Sequence, residues 1–294
     1  MVTDKKYKSG FVSIIGKTNV GKSTLVNQLV KHKVSITSRK PQTTRHRLLG
    51  IKTTNTYQAV LVDTPGFHIG QKRMLNKHMN KLALSSISGV DILLLIIEAL
   101  KWQKEDQLLL ERLPEDQENV ILVINKIDKI HDKKNLLPFI GKISKKYRFL
   151  EIIPISALKG KNIIDLEKAL FTNLSEGKHI YPIDRVTEHS DRFLVSEIIR
   201  EKCIEQVGDE LPYRLAVLID DFKSMEDIVH VHSTLYVEKN SQKGILIGKE
   251  GKKLKVIGTK ARKEIEKMLG MKVMLKIWVK VKKDWSDNEA LMNL

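Results

Sequence analysis

The first residues with recognisable chemistry lie between Gly16 and Ser23, where GKTNVGKS matches the pattern G-x-x-x-x-G-K-[ST] at each fixed position. A strand is predicted before this segment and a helix after it, which is the context of a phosphate-binding loop. Glycines let the backbone curl so that several N–H groups point at phosphate oxygens, and the helix N-terminus adds a favourable dipole. A chance match on a glycine-rich turn is the alternative.

In this loop, Lys22 is expected to reach the β- and γ-phosphates of a nucleotide, and the Ser23 hydroxyl is expected to coordinate Mg²⁺. The remaining residues would contact the phosphates mainly through their backbone N–H groups. The predicted nucleotide contacts here are Gly16, Lys17, Thr18, Asn19, Val20, Gly21, Lys22, Ser23 and Thr24.

A second segment, DTPG from Asp63 to Gly66, also follows a predicted strand. A carboxylate at a strand end can hold the coordination shell of Mg²⁺. Gly66 permits a backbone N–H close to the γ-phosphate. A plain turn is the alternative. The predicted contacts of this segment are Asp63, Thr64, Pro65, Gly66 and Phe67.

Two further segments point to the base of the nucleotide. In NKID, the Asp128 carboxylate can accept from two neighbouring N–H groups of guanine, an edge that adenine lacks. Asn125 would brace the loop and Lys126 would lie along the base, whereas a simple helix start capped by Asp128 is the alternative. In SAL, the Ala157 N–H can donate to the guanine oxygen, although a plain loop explains that segment equally well. The predicted base contacts are Asn125, Lys126, Ile127, Asp128, Ser156, Ala157 and Leu158.

The elements that must position these segments alternate through the first half of the chain. Short apolar runs without polar alternation predict strands that are buried on both faces, and the stretches between them have helical spacing. We expect a doubly wound α/β domain with a mostly parallel sheet and the four segments at the carboxyl ends of its strands. The predicted strands lie at about 11–15, 59–62, 92–97, 120–124 and 152–155, and the predicted helices at about 24–31, 74–88, 104–113, 132–146 and 162–172.

The pattern changes near residue 175, where SEGKHIYPI has turn formers and no helical period. After it, the order of predicted elements is helix, strand, strand, turn, helix and strand, which describes a small α+β domain. The predicted domains are residues 1–178, a linker at 179–189, and residues 190–294.

The second domain contains the pattern G-x-x-G between an apolar run and a basic helix. KH domains use such a loop to clamp a single-stranded nucleic-acid backbone, whereas a simple turn is the alternative. Lysines around it would neutralise phosphates. In the last predicted strand, Lys276, Lys280 and Lys282 share one face with Trp278, which is either a partly exposed packing residue or a stacking platform. The predicted RNA contacts are Ile247, Gly248, Lys249, Glu250, Gly251, Lys252, Lys253 and Lys255.

Charge is distributed unevenly along the 294 residues, which carry a net charge of +17. Residues 1–178 hold 31 basic and 16 acidic residues, and residues 239–283 hold 15 basic and 3 acidic ones, while residues 179–238 are acidic. This distribution suggests an anionic partner. A hydrophobic content of 41% excludes a disordered chain. A single cysteine, Cys203, excludes an intrachain disulfide and indicates a reducing compartment. No apolar run approaches the roughly 20 residues that cross a bilayer, and the N-terminus does not resemble a secretory signal.

Taken together, the four nucleotide segments occur in the order of a GTPase domain, and the chain resembles the Era family of small GTPases over nearly its whole length. The resemblance covers both domains and the loop PQTTR at residues 41–45. It implies a P-loop GTPase domain followed by a type II KH domain. It also implies that Thr44, or its neighbour Thr43, closes on Mg²⁺ when GTP is bound. The residues given a catalytic role are Lys22, Thr44 and Gly66, and the Mg²⁺ ligands are Ser23, Thr44 and Asp63.

The catalytic water has no obvious partner. Many GTPases place a glutamine two residues after the glycine of the D-x-x-G segment, and here that position is His68. His68 is a candidate base, but a surface loop histidine is the ordinary case. Asn19 stands where relatives of the class place a potassium ligand. We therefore expect slow intrinsic hydrolysis that K⁺ and RNA stimulate.

The resemblance further implies that the partner is the 3′ end of small-subunit (16S) ribosomal RNA, and that the protein acts on the 30S subunit during its assembly. It implies a cytoplasmic monomer that contacts the inner membrane peripherally. Two other classes fit the residues: a P-loop enzyme that transfers a phosphoryl group to a small substrate, and a nucleotide-regulated RNA-binding protein with negligible hydrolysis.

Overall fold

The computed structural model describes residues 7–38, 47–67, 85, 89–114, 117–207 and 215–283. The chain divides into two compact units, of which unit 1 is Met1–Ser35 with Thr44–Glu188 and unit 2 is Ile36–Thr43 with His189–Leu294. The domain limits expected from the sequence stay a prediction. The loop at 41–45, His68 and residues 284–294 lie outside the described residues, as does the helix predicted at 74–88 apart from Ser85.

Unit 1 alternates strands and helices as expected. Its strands are β1 (Lys8–Ile15), β2 (Leu48–Thr53), β3 (Tyr57–Asp63), β4 (Ile92–Glu98), β5 (Val120–Asn125) and β6 (Glu151–Pro154). Its described helices are α1 (Lys22–Val30), α2 (Lys104–Leu110), α3 (Leu136–Ile143) and α4 (Ile163–Asn173).

The six strands form one sheet in the order β2-β3-β1-β4-β5-β6, in which β2 is antiparallel to β3 and the remaining pairs are parallel. The predicted doubly wound α/β class is confirmed. The edge strand β2 was not predicted, because Gly50 and Lys52 interrupt its apolar pattern. A Cβ at Gly50 would lie 2.9 Å from side-chain carbons of Val26 and Val30, so glycine lets α1 pack against this strand.

Both faces of the sheet are buried, which is why its strands are apolar without alternation. One face packs with α1 and α4 around residues such as Leu25, Leu29 and Leu166. The other face packs with α2 and α3 around Leu109 and Ile143. Because the strands are parallel, their carboxyl ends meet at one edge, where the predicted nucleotide segments follow them.

Residues 180–187 of the segment expected to be a linker (179–189) contact β2 and β3 of unit 1. The Gln58 side chain accepts from the N–H groups of Ile180 and Tyr181 and donates to the Tyr181 carbonyl. The Thr187 hydroxyl donates to the carbonyl of Leu49 at 2.7 Å. These bonds extend unit 1 along the chain through Glu188.

Unit 2 has three strands and three described helices. They are α5 (Asp191–Gln206), β7 (Leu215–Ser224), β8 (Ile228–Val237), α6 (Asn240–Ile247), α7 (Lys252–Leu269) and β9 (Lys272–Val281). The sheet order is β7-β8-β9, with β7 antiparallel and β9 parallel to β8. The predicted glycine-punctuated turn was wrong in part, because its first half is the helix α6. A single apolar core joins the helices to the sheet.

Helix α5 contributes Cys203 to the core of unit 2 and Glu201 to a contact with Thr37. Cys203 is fully buried in the core, and burial raises the pKa of its thiol to about 12. Glu201 accepts hydrogen bonds from the backbone N–H and the hydroxyl of Thr37, at 2.9 and 3.2 Å. The short segment that follows Ser35 is therefore held by unit 2.

Among the described residues, none of the helices combines the length and the apolar content that crossing a membrane requires.

Candidate functional site

The phosphate-binding segment lies between β1 and α1, and Asn125 at the end of β5 supports it. Asn125 Nδ2 donates to the carbonyl of Val20 at 2.7 Å. A Cβ at Gly21 would lie 2.3 Å from this nitrogen, and Gly21 has φ 103°. Glycine is therefore required at this position by backbone conformation and by space.

Lys22 is directed back over the loop. Its Nζ donates to the carbonyls of Gly16 and Lys17 at 3.0 and 2.9 Å. Burial lowers the pKa of Lys22 to about 8, although the charge of Asp63 opposes that shift. A phosphate beside this amine would stabilise its charged form, so the geometry suits an anion.

Asp63 is the centre of the predicted Mg²⁺ site. Its Oδ2 accepts from the hydroxyls of Ser23 and Ser35, each at 2.8 Å. Among the described residues, its Oδ1 is buried and accepts no hydrogen bond. Burial raises the pKa of this carboxyl above its usual range. A cation would satisfy the unpaired oxygen and favour the charged form, so Asp63 and Ser23 fit Mg²⁺.

Ser35 was not predicted from the sequence, yet it shares Asp63 with Ser23. Asn27 of α1 fixes it in place: Oδ1 accepts from the N–H groups of Val34 and Ser35, and Nδ2 donates to the Ser35 carbonyl at 2.6 Å. Nothing in the spacing of these residues indicates this arrangement, because it depends on how the chain leaves α1.

The DTPG segment packs directly on the phosphate-binding loop. A Cβ at Gly66 would lie 2.7 to 2.9 Å from atoms of Thr18, two of them backbone, so only glycine fits. The Phe67 N–H donates to the carbonyl of Gly16 at 3.2 Å. The Phe67 ring is buried, with the guanidinium of Arg112 4.7 Å from its centre. The backbone of this segment, and not the Phe67 side chain, faces the nucleotide loop.

The Lys17 side chain bonds to residues at the start of α2 and not to the phosphate-binding loop. Its Nζ donates to Gln103 Oε1 at 3.0 Å and to Asp106 Oδ2 at 2.8 Å. These two residues form the capping box that begins α2, and burial raises the pKa of the Asp106 carboxyl. Lys17 can thus contact a nucleotide only through its backbone, and its side chain anchors the loop to α2. Asn19, the candidate K⁺ ligand, is exposed with φ 62°.

The base-binding segments meet around Asn125. Its Oδ1 accepts from the N–H groups of Lys126 and Ala157, at 2.8 and 2.9 Å. The Ala157 N–H, expected to donate to the guanine oxygen, is therefore engaged by Asn125 in this structure. Asp128 is exposed, and the Ser156 hydroxyl donates to its Oδ1 at 2.5 Å. The carboxylate is thus oriented by Ser156.

Glu98, at the end of β4, holds the lysine of the NKID segment. Its Oε2 lies 2.6 Å from Lys126 Nζ, and its Oε1 lies 2.5 Å from Lys101 Nζ. Partial burial pushes the pKa of Glu98 upward, but the hydrogen bonds and charges of both lysines outweigh it and hold the pKa at about 2. Glu98 was not predicted, since the strand end carries no motif of its own.

In unit 2, the G-x-x-G loop connects α6 to α7. Gly248 and Gly251 have φ 71° and 73°, and Glu250 between them has φ 54°. A Cβ at Gly248 would lie 2.7 Å from Lys253 Cβ. Lys252 is exposed and pairs with Glu250 at 2.8 Å. The loop is thus a sharp backbone turn with exposed cations, as a phosphate clamp requires.

A groove of about 360 Å³ runs from this loop between α7 and β9. Its floor is apolar and its rim carries cations, which suits bases and phosphates respectively. Trp278 is 62% exposed and lies on the opposite face of β9 from the groove, because side chains alternate along a strand. The groove is lined by Gly251, Leu254, Lys255, Gly258, Thr259, Arg262, Leu275 and Ile277.

Comparison with known proteins identifies the family of each domain. The model of a family described as 50S ribosome-binding GTPase matches residues 11–126, and the KH domain model matches residues 210–286. GTPase Era of Glaesserella parasuis serovar 5 is 49% identical over 292 residues, which are 99% of this chain and 97% of that protein. GTPase Era of Azotobacter vinelandii is 44% identical over 293 residues, 100% of this chain and 98% of that protein. The chain belongs to the GTPase Era family.

Solved structures of Era agree with this assignment. Era in complex with MgGDPNP and nucleotides 1506–1542 of 16S ribosomal RNA superposes with a TM-score of 0.93 at 40% identity, and covers 98% of both chains. A single-residue variant of Era from Aquifex aeolicus, bound to GDP and aluminium fluoride, gives a TM-score of 0.93 at 41% identity. The predicted Era-type fold and the type II KH class are confirmed.

In this Era family chain, the motifs predicted residues of the site itself but not the residues that hold them in place. The residues missed in unit 1 support the site from outside the motifs. Ser35, Glu98, Gln103 and Asp106 bond to motif residues, and Asn27 holds Ser35 in place. In unit 2, Gly251 and Lys255 of the groove were predicted, but its other residues in α7 and β9 were missed. The Gly258 interruption of a helical pattern was a signal that could have found them.

Proposed function

We propose that the residues described above bind GTP and GDP with Mg²⁺ and hydrolyse GTP. The observation that carries this proposal is the position of Asn125, whose side chain joins the phosphate-binding loop at Val20 to the base segment at Ala157. The Asn125 side chain therefore fixes the distance between the part of the site that would bind the phosphates and the part that would bind the base. Asp128, oriented by Ser156, supplies the carboxylate that selects guanine.

We assign the metal to Ser23 and Asp63, with Thr44 joining them in the GTP state. When bound, Mg²⁺ neutralises the charge that develops between the β- and γ-phosphates. Lys22 lies over the same loop and binds the phosphates, while the Gly66 N–H lies on the γ-phosphate side. These assignments rest on the unpaired Asp63 oxygen and on the absence of room for a side chain at Gly66.

The proposed switch uses the segments on either side of this site. The γ-phosphate orders the loops around Thr44 and Gly66, and its loss releases them. No glutamine follows Gly66 at the catalytic position, so we propose slow intrinsic hydrolysis that K⁺, bound by Asn19, and the RNA partner stimulate.

For the partner, we propose the 3′ end of small-subunit ribosomal RNA, bound in the groove between α7 and β9 with its backbone on the G-x-x-G loop. The Era complex with nucleotides 1506–1542 of 16S ribosomal RNA supports this choice. The corresponding biological task is assembly of the 30S subunit by a cytoplasmic monomer. The excess of basic charge also suits a peripheral, salt-sensitive contact with anionic lipid of the inner membrane.

The test is RNA crosslinking with sequencing, comparing the wild type with Gly248→Asp. The variant adds a side chain 2.7 Å from Lys253 and a negative charge at the phosphate clamp, so crosslinks at the rRNA 3′ end should fall at least tenfold. Gly244→Asp is the matched control, because it adds the same charge where no atom lies within 4 Å of the new Cβ. Equal crosslinking by the two variants would refute the assignment.

The nucleotide assignment is tested separately by GTP turnover. Lys22→Ala removes the amine that bridges the loop carbonyls, and phosphate release should fall by at least a hundredfold. If phosphate appeared only when a small acceptor molecule was supplied, the protein would instead be a phosphoryl-transfer enzyme.

A further inference from the structure

The hydroxyl of Ser35 makes a second, independent bond to the carboxylate of the proposed metal site. Ser35 is 2% exposed, and its Oγ donates to Asp63 Oδ2 at 2.8 Å, the distance at which Ser23 Oγ donates to the same oxygen. A carboxylate oxygen offers two lone-pair positions, so the two hydroxyls occupy both positions of Oδ2. Within the part of the chain that the structure describes, the buried Oδ1 accepts no hydrogen bond and is the oxygen left for a cation.

The two serines reach Asp63 from different segments. Ser23 lies in the first turn of α1, and the proposed metal site uses its oxygen as a ligand, so its position depends on the ion. Ser35 follows the end of α1 and belongs to no motif. Hydrogen bonds from hydroxyls favour the charged form of a buried carboxylate, and the Ser35 bond does so without taking part in the coordination that we assign to Ser23.

Asn27 holds Ser35 in place through both polar groups of the Ser35 backbone. Asn27 Oδ1 accepts from the N–H groups of Val34 and Ser35 at 3.0 and 2.9 Å, and its Nδ2 donates to the Ser35 carbonyl at 2.6 Å. Val34 is itself buried in the apolar cluster that includes α1. Because the backbone of Ser35 is fixed, the remaining freedom of its hydroxyl is rotation about χ1, and the bond to Asp63 selects one rotamer.

Burial by itself does not explain the bond between Ser35 and Asp63. Ser13 of β1 is completely buried, and it precedes Ile14, which pairs with Asp63 in the register of β1 and β3. Its hydroxyl nevertheless has no hydrogen-bond partner among the described residues. A buried serine close to Asp63 in the sheet therefore need not bond to the carboxylate, and the contact of Ser35 is a specific arrangement.

We propose that Ser35 is a positioning residue of the metal site. Its hydroxyl, held by Asn27, orients the Asp63 carboxylate so that Oδ1 stays available to Mg²⁺ or to a water in the shell of the ion. Ser35 thereby sets how strongly nucleotide binding depends on Mg²⁺. The inference rests on the proposed function, which assigns Mg²⁺ to Ser23 and Asp63.

The test measures how the affinity for a fluorescent, non-hydrolysable GTP analogue depends on free Mg²⁺. The full-length wild type and Ser35→Ala are titrated with the analogue at a series of free Mg²⁺ concentrations and in EDTA. The quantity compared is the Mg²⁺ concentration at the midpoint of the rise in affinity. Ser13→Ala is the matched control, because it removes a hydroxyl that is equally buried and has no partner among the described residues.

Ser35→Ala should move this midpoint to a Mg²⁺ concentration about three- to tenfold higher, the loss expected when a buried charged group gives up one hydrogen bond. Its affinity in EDTA should stay the same as that of the wild type, because Ser35 acts through the metal. Ser13→Ala should match the wild type under both conditions. Asn27→Ala keeps the hydroxyl but frees the backbone that carries it, so it should shift the midpoint in the same direction by a smaller factor.

Three results would overturn the proposal: an unchanged midpoint in Ser35→Ala, an equal shift in Ser13→Ala, or a fall in affinity of Ser35→Ala that is as large in EDTA as in Mg²⁺. The last result would show that Ser35 only supports the fold of its segment. If Ser35→Ala does not fold, the same criteria apply to Asn27→Ala. A wild type whose affinity does not depend on Mg²⁺ would instead refute the proposed metal site itself.

Discussion

The Glu98 carboxylate lies 2.6 Å from Lys126 Nζ and joins the end of β4 to the segment that reads the base. Lys126 has φ 67°, so its backbone is held in a left-handed turn while Glu98 holds its amine. The lysine stem is thereby fixed at both ends. Glu98 is a positioning residue, because its side chain acts on the site through the Lys126 amine.

Glu98→Gln should weaken GDP binding and raise the KM for GTP by about three- to tenfold, the loss expected for one charge-assisted hydrogen bond. The value of kcat should change less than twofold, because Glu98 does not touch the phosphates. Titration with a fluorescent guanine nucleotide and steady-state turnover measure both quantities. Lys101→Gln is the control, since it removes the other partner of Glu98 and leaves Lys126 paired. Equal effects of the two changes would contradict the positioning role.

The same carboxylate predicts a dependence of stability on acid pH. The pKa of Glu98 is about 2 in the folded protein, below its ordinary value of 4.5. Its contribution is therefore complete above about pH 4.5 and is lost as the pH falls toward 2. Urea unfolding between pH 2.5 and 7 should show that Glu98→Gln lowers the free energy of unfolding at neutral pH and that the difference shrinks below pH 4.5. If the difference in the free energy of unfolding between the two proteins stayed constant with pH, Glu98 would not form a charged pair in solution.

Gly66→Ala should abolish the close packing of the DTPG segment on Thr18. A Cβ at Gly66 would lie 2.7 Å from Thr18 Cγ2 and 2.8 Å from Thr18 Cα, so the segment must move away from the phosphate loop. GTP hydrolysis should fall at least tenfold, as measured by phosphate release. Gly141→Ala, which places the same methyl group in open space on α3, should leave turnover unchanged. A Gly66→Ala enzyme with normal turnover would exclude a catalytic role for this backbone.

Gly258→Leu should fill the groove of unit 2 while the domain stays folded. Gly258 lies inside α7, and a Cβ there would be 3.7 Å from Ile277 Cδ1, an ordinary contact. Gly258→Ala should therefore bind RNA nearly as well as the wild type and be more stable by up to about 1 kcal/mol, because alanine favours a helix. Leucine should project further and lower RNA affinity at least tenfold, as measured by filter binding. Similar affinities for both variants would place the bases elsewhere.

The motifs that could be read from the sequence are those whose residues are contiguous. The P-loop, DTPG and NKID each follow a strand whose apolar run made it recognisable, and β4 and β5 begin within a residue of their expected positions. The edge strand β2 could not be recognised in the same way. Gly50, which packs against α1, and Lys52 interrupt its apolar residues, so its hydrophobic pattern has no simple period. Likewise, Gly244 made α6 look like a turn.

The supports of the site could not be read because they come together only through the tertiary fold. Ser35 reaches Asp63 across 28 residues, and Lys17 reaches Asp106 across 89. Each of these residues is ordinary in its own local sequence. For Ala157 the motif was recognised but the hydrogen-bond partner was not. Its N–H donates to Asn125 in this structure, and residue spacing alone does not reveal which acceptor a backbone N–H group finds.

The bonds of Asn125 have a consequence for the order in which the site becomes competent during synthesis. The amide joins Val20, which is 105 residues earlier in the chain, to Ala157, which is 32 residues later. A nascent chain therefore carries its complete phosphate-binding sequence long before it has a place for the base. Both bonds of Asn125 can exist only after β5 and the segment that follows β6 have been made, so the complete nucleotide site appears late in the synthesis of unit 1.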